Sequence, residues 1–131
     1  MKDSIDKNGF DRIHDFVVEY KILSESEGGR RALPSQGIKW DFCYENPNHA
    51  SNHLFMIWPQ FVDKYGQVIP QSGNPVPSTG KARMWIVDNK MRKYHKHKIH
   101  LGLKANGMEG PNVVANYLIT EIAGLLTNPV V

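Results

Sequence analysis

Apolar and polar residues alternate with a period of two along much of this chain. Phe16, Val18, Tyr20 and Ile22 share one parity, and Asp15, Val17, Glu19 and Lys21 share the other. Successive side chains of a strand point to opposite faces, so this pattern, rich in β-branched and aromatic residues, predicts a half-buried strand over 13–23. Ile38, Trp40, Phe42 and Tyr44 alternate in the same way with Lys39, Asp41, Cys43 and Glu45. A short apolar strand is predicted over 54–58, ended by Pro59, and a shorter one over 66–69. Another follows over 82–87, where Ala82, Met84 and Ile86 oppose Arg83, Trp85 and Val87. The stretch 94–103 alternates weakly through basic residues. The stretch 113–122 fits either a helix or a strand by spacing, and its β-branched content favours a strand.

Turn chemistry separates these runs. The string Glu27-Gly28-Gly29-Arg30-Arg31-Ala32-Leu33-Pro34 follows the first predicted strand. Its paired glycines permit backbone conformations and close approaches that a Cβ resists. Its arginines set two permanent charges at a corner that Pro34 stiffens. Asn46 to Asn52 reads as a polar loop, and 70–81 as a long Pro/Gly/Ser connection. Asp88-Asn89 reads as a turn, and the string from Gly107 to Asn112 as the clearest one. Short strands joined by turns, without a strong helical pattern, indicate an all-β fold: one six- to seven-stranded antiparallel Greek-key β-barrel. The expected organisation is a loosely held arm over 1–11, the barrel over 12–124 and an apolar tail over 125–131.

Composition narrows the class. The chain has 131 residues, a formal charge of +3 and one cysteine, so it has no internal disulfide. The mild basic excess suits a polyanion partner without requiring one. Met1-Lys2-Asp3-Ser4-Ile5-Asp6 is too polar for an export segment, and no apolar run is long enough to span a bilayer. The expectation is a cytoplasmic protein that does not enter a membrane.

In order, these segments resemble the C-terminal β-barrel domain, the third domain, of elongation factor Tu and related translational GTPases, here standing alone. The resemblance rests on Phe16-Val17-Val18-Glu19-Tyr20-Lys21-Ile22-Leu23, Glu27-Gly28-Gly29-Arg30, Pro34 and Asp41-Phe42-Cys43-Tyr44. It continues through Gly80-Lys81-Ala82-Arg83-Met84-Trp85-Ile86, Ile99-His100-Leu101-Gly102-Leu103, Glu109-Gly110 and Ile119-Thr120-Glu121-Ile122. It covers roughly 12–123 and implies a six-stranded Greek-key barrel. It also implies that Arg30, Arg31, Glu109 and Gly110 lie near a surface that, in the family, grips the T stem of aminoacyl-tRNA. Arg31 stands for a histidine and keeps the positive character. Two other departures weaken that implication: Pro111 and Asn112 stand for a glycine and an arginine, and Asp88 falls near a basic position.

Other segments carry candidate chemistry. Ser78-Thr79-Gly80-Lys81 resembles the end of a P-loop, but Gly73 is too distant and Ala82 replaces the Mg²⁺-binding hydroxyl, so no nucleotide site is expected. The segment 90–98 is the densest basic stretch: Lys90, Arg92, Lys93, Lys96 and Lys98 could contact phosphates while Tyr94 stacks on a base. The alternative is a solvated hairpin arm. On a strand, His95 and His97 would point the same way toward a metal, but the flanking cations disfavour one. Cys43 lacks a catalytic partner. Trp85, sharing a parity with Arg83, could face outward at an interface, but a core position is the leading expectation for it as for any single tryptophan.

The function expected from the sequence is non-catalytic binding, without cofactor or metal. Structured RNA or another polyanion would meet Arg30, Arg31, Lys90, Arg92, Lys93, Tyr94, Lys96 and Lys98, with Gly28, Gly29, Glu109 and Gly110 shaping the loops. The competing expectation is a protein-interaction module that docks a protein partner through its long loops and apolar tail.

Overall fold

In the computed structural model, which describes residues 12–45 and 53–129, the alternating segments form one antiparallel sheet. The strands are β1 (Phe16–Ile22), β2 (Asp41–Tyr44), β3 (Ile57–Val62), β4 (Thr79–Ile86), β5 (Lys104–Glu109) and β6 (Asn112–Ile122). The expected arm over 1–11 and the polar loop at Asn46 to Asn52 lie outside the described residues.

The sheet order is β2-β5-β6-β1-β4-β3. The sheet curls, and its two edges meet where Phe42 of β2 and Phe55, just before β3, exchange backbone hydrogen bonds of 2.8 Å in both directions. β5 thus lies beside β2 rather than β4, and β1 lies beside β4, the out-and-back order of a Greek key. The barrel class read from the sequence is the observed one. Its core is the inward parity of the strands: Phe16, Val18 and Tyr20 of β1, Phe42 of β2, Phe61 of β3, Met84 and Ile86 of β4, and Tyr117 and Ile119 of β6. Aromatic rings interlock there, Phe42 meeting Phe16 edge-on and stacking on Tyr117 at centroid distances of 5.9 and 6.0 Å. The curl turns one sheet face inward on itself, so one stripe per strand suffices for a core.

Several expected elements differ. The strand placed over 54–58 begins later and runs straight through Pro59. Phe61 turns its N–H and C=O away from β4, toward Gln36, at 2.8 and 2.7 Å. Backbone groups alternate along a strand, so Pro59 also turns its missing donor away from β4, where no ladder bond is lost. The Gln36 amide stands in for a strand along that edge. The stretch 66–69 contributes a single bridge, Val62 to Val68, rather than a strand. β4 starts at Thr79, so Gly80 and Lys81 are strand residues, not a phosphate loop. Trp85 is in the core, the leading of its two readings, donating to Gln60 Oε1 at 3.2 Å with the His14 ring edge-on to it at 6.2 Å.

The turn over 107–112 narrows to Gly110-Pro111, since Glu109 pairs directly with Asn112. Gly110 has a φ of 55°, the sign that primed two-residue hairpin turns require at their first position. Gly110→Ala is expected to lower stability by about 1 kcal/mol, measurable as a shift in the urea midpoint at unchanged slope. No shift would mean the turn is not strained by a Cβ.

The largest difference is at 94–103. It holds no strand: a 3-10 turn (Asn89–Met91) leads into helix α1 (Arg92–Lys96), and turns follow to β5. A helix of this length is unstable alone, because nucleation outweighs so few hydrogen bonds. It is held by its buried side, Arg92 and His95, at the i and i+3 positions that share a helix face.

Candidate functional site: a basic and aromatic end of the barrel

The two basic segments singled out by the sequence sit at opposite ends of the barrel. Trp40 and Glu109, at the start of β2 and the end of β5, mark one end. Tyr44, at the end of β2, and α1 mark the other. Trp40 to Tyr44 alone spans about 13 Å of strand. Arg30 and Arg31 are therefore not brought together with Lys90, Lys93, Lys96 and Lys98.

At the first end, the glycine corner is built as its residue types demand. Gly28 takes a φ of 88°, and a Cβ on Gly29 would lie 2.2 Å from the Leu23 carbonyl oxygen. A 3-10 turn (Glu25–Glu27) precedes it, with the Ser24 N–H donating to Glu27 Oε1 at 2.9 Å. The Lys21 ammonium, with the Ser24 N–H and hydroxyl, holds the Glu27 carboxyl down at about 2. The arginines are not free cations. Arg30 Nε meets Glu109 Oε2 at 2.8 Å, and the Trp40 indole N–H donates to that same oxygen at 2.8 Å. Arg31 lies 3.6 Å from Glu25. The Gly-Gly-Arg corner lies against the late Glu-Gly turn, and what joins them is an ion pair that ties a loop to a hairpin. With Glu25, Glu27 and Glu109 beside them, the arginines leave little excess positive potential.

At the second end the balance reverses. Helix α1 turns Lys93 and Tyr94 to solvent, and Lys90 and Lys98 flank it, also exposed. Among the described residues, no ion pair joins Lys90, Lys93, Lys96 or Lys98 to a carboxylate. Arg92 is the exception within the basic segment. It is buried in an ion pair with Asp15, so it offers no charge to a partner, contrary to its expected role. Asp15 also accepts from the Ile86 N–H at 2.7 Å and from Asn128 Nδ2 at 2.9 Å. One buried carboxylate thus pins α1, the end of β4 and the C-terminal segment to the start of β1.

Beside α1 lies a cluster of rings. Phe55 sits 5.6 Å from Tyr94 and 4.7 Å, edge-on, from His95. The Tyr44 hydroxyl and His95 Nδ1 are hydrogen-bonded at 2.7 Å. Burial, with a lesser push from Arg92, lowers the His95 pKa to about 4, and burial raises the Tyr44 hydroxyl well above its usual value. Lys98 Nζ stands 5.3 Å from the Tyr44 ring centre and 5.2 Å from that of Tyr94. A pocket of about 440 Å³ opens here, lined by Cys43, Tyr44, Glu45, His53, Phe55, Tyr94 and Lys98. The sequence reading named Tyr94 and Lys98 but missed Tyr44, His53 and Phe55, which lie on other segments of the chain.

The metal arrangement drawn from strand parity does not form. On a helix, residues two apart point away from each other, and His95 is buried while His97 is exposed. Among the described residues, no group of three or more His, Cys, Asp or Glu is placed to hold an ion. Of the surface expected for protein docking, the apolar tail divides, with Leu126 exposed. Leu125 of the apolar tail belongs to the core, and the Pro47 loop lies outside the described residues. Among the described residues, no helix is long and apolar enough to cross a membrane.

Fold and site together define an all-β barrel of six antiparallel strands whose one end is basic and aromatic. No family model matches the chain, and a search of curated proteins finds no match.

Proposed function

We propose that this chain is a non-catalytic, cytoplasmic binding barrel of the translation-factor-like kind, and that it contacts structured RNA through the α1 end. The observation that carries this reading is the contrast between the two ends. Lys90, Lys93, Lys96 and Lys98 have no carboxylate partner among the described residues, whereas Arg30 and Arg31 each have one. Unpaired lysines on a rigid scaffold attract phosphates and release counterions on binding, which makes affinity fall with salt. Exposed Tyr94 adds a ring face that suits a nucleobase better than a featureless polyanion.

The test is RNA affinity as a function of salt concentration. Wild-type affinity should fall linearly on logarithmic axes, and Lys93→Gln with Lys96→Gln should flatten that slope by roughly one to two. Arg31→Gln, at a side chain that is 88% exposed at the other end, should leave affinity and slope unchanged. A flat salt dependence would overturn the proposal, and so would an Arg31→Gln loss as large as that of the lysine pair. A stoichiometric protein partner that survives nuclease treatment, with no RNA binding, would establish the docking alternative instead.

A further inference from the structure

The pocket beside α1 adds a property that the charge alone does not. We infer that it receives one unpaired nucleotide of the bound strand, an inference that rests on the RNA reading above. Its walls are the rings of Tyr44, His53, Phe55 and Tyr94, and the Lys98 ammonium stands over two of them. The volume of about 440 Å³ falls in the range of small-ligand sites, roughly 300–1,000 Å³.

Two features favour a nucleotide over other anions. Tyr94 is 45% exposed, with its ring braced by Phe55 at 5.6 Å and His95 at 5.3 Å, so an exposed aromatic ring is held in place beside the pocket. Lys98 is held by cation–π contact with Tyr44 and Tyr94, so its charge is fixed at the pocket rather than swinging in solvent. A stacked base with its own phosphate within reach of a fixed ammonium matches this pairing of ring and cation. A duplex cannot use it, because its bases are already stacked and paired. The pocket therefore selects single-stranded or bulged positions, while the α1 lysines grip the neighbouring backbone. Glu45 at the pocket lining faces the same space and is the acceptor available to an exocyclic amino group.

The experiment compares a short single-stranded oligoadenylate with an RNA duplex carrying the same number of phosphates, at one salt concentration. The single strand should bind more tightly. Tyr94→Ala should weaken the single strand roughly tenfold and leave the duplex unchanged. Tyr94→Trp, which keeps a stacking face, should retain single-strand binding and shows that the loss is not misfolding. Equal affinity for both RNAs, or a Tyr94→Ala loss that is absent or equal for the two, overturns the pocket inference. If the duplex still binds with a lysine-dependent salt slope, the wider RNA reading survives that result. If neither RNA binds at any salt, both fall.

Discussion

Replacing Asp15 with alanine is expected to destabilise the protein by about 3–5 kcal/mol. Asp15 and Arg92 are both buried, and α1, the end of β4 and Asn128 converge on that one carboxylate. Removing it strands the guanidinium in a dry interior where Arg92 Nε and Nη1 already lack partners among the described residues. It also takes the acceptor from the Ile86 N–H and one of two acceptors from Asn128 Nδ2, which keeps its bond to the Ile13 carbonyl. The sign of the double variant is diagnostic. Asp15→Ala with Arg92→Met removes both charges and should be more stable than Asp15→Ala alone, because the dominant cost is the unpaired charge rather than the lost attraction. Urea unfolding followed by tryptophan fluorescence would measure both. A loss under about 1 kcal/mol for the single variant, or a double variant less stable than the single, would show that the pair is not the anchor. The consequence reaches the site: α1 has no other ionic tether among the described residues, so Asp15→Ala should also weaken RNA binding, although Asp15 touches no surface.

The second large expectation concerns pH. His95 is buried against Tyr44 and Phe55, and its pKa falls from the ordinary 6.5 to about 4. In the folded state the ring stays neutral in mild acid, while in the unfolded chain it takes up a proton below about 6.5. The unfolded state then binds more protons, so stability falls as pH falls, through the window from 6.5 to 4. By pH 5 the loss from this one residue is on the order of 2 kcal/mol. Unfolding free energies at pH 7 and pH 5 would show it as a difference, and His95→Gln should make that difference smaller by the same amount. A His95→Gln protein with the wild-type difference would place the pH sensitivity elsewhere. Because His95 and Arg92 form the buried side of α1, the acid loss should begin at the end that carries the lysines.

The strands were legible because the apolar residues that form the core recur there with a period of two. Phe16, Val18, Tyr20 and Ile22 are all buried, and so are Trp40 and Phe42. The glycine corner and Gly110 were legible because their backbone demands are local. Helix α1 was not legible, and the reason is specific. Its buried face is Arg92 and His95, continued by Ile99, and a hydrophobicity pattern counts an arginine and a histidine as surface. The weak alternation of the lysines and histidines then imitated a strand. Trp85 was open to two readings for a related reason: parity assigns a strand face but not what the rest of the chain lays over it.

By itself, then, the sequence determined the barrel class, most of its strands, its turns and the location of its positive residues. Those properties depend on neighbours a few positions away. Only the tertiary structure decided which cations are available. Arg92 finds Asp15 across 77 positions, Arg30 finds Glu109 across the barrel end, and Lys98 finds its rings on β2 and α1. Charge is fixed by residue type, but whether it is neutralised depends on which distant carboxylate the fold delivers. That pairing moves the candidate surface from the glycine corner, where the sequence first directs attention, to the lysine-bearing helix at the other end.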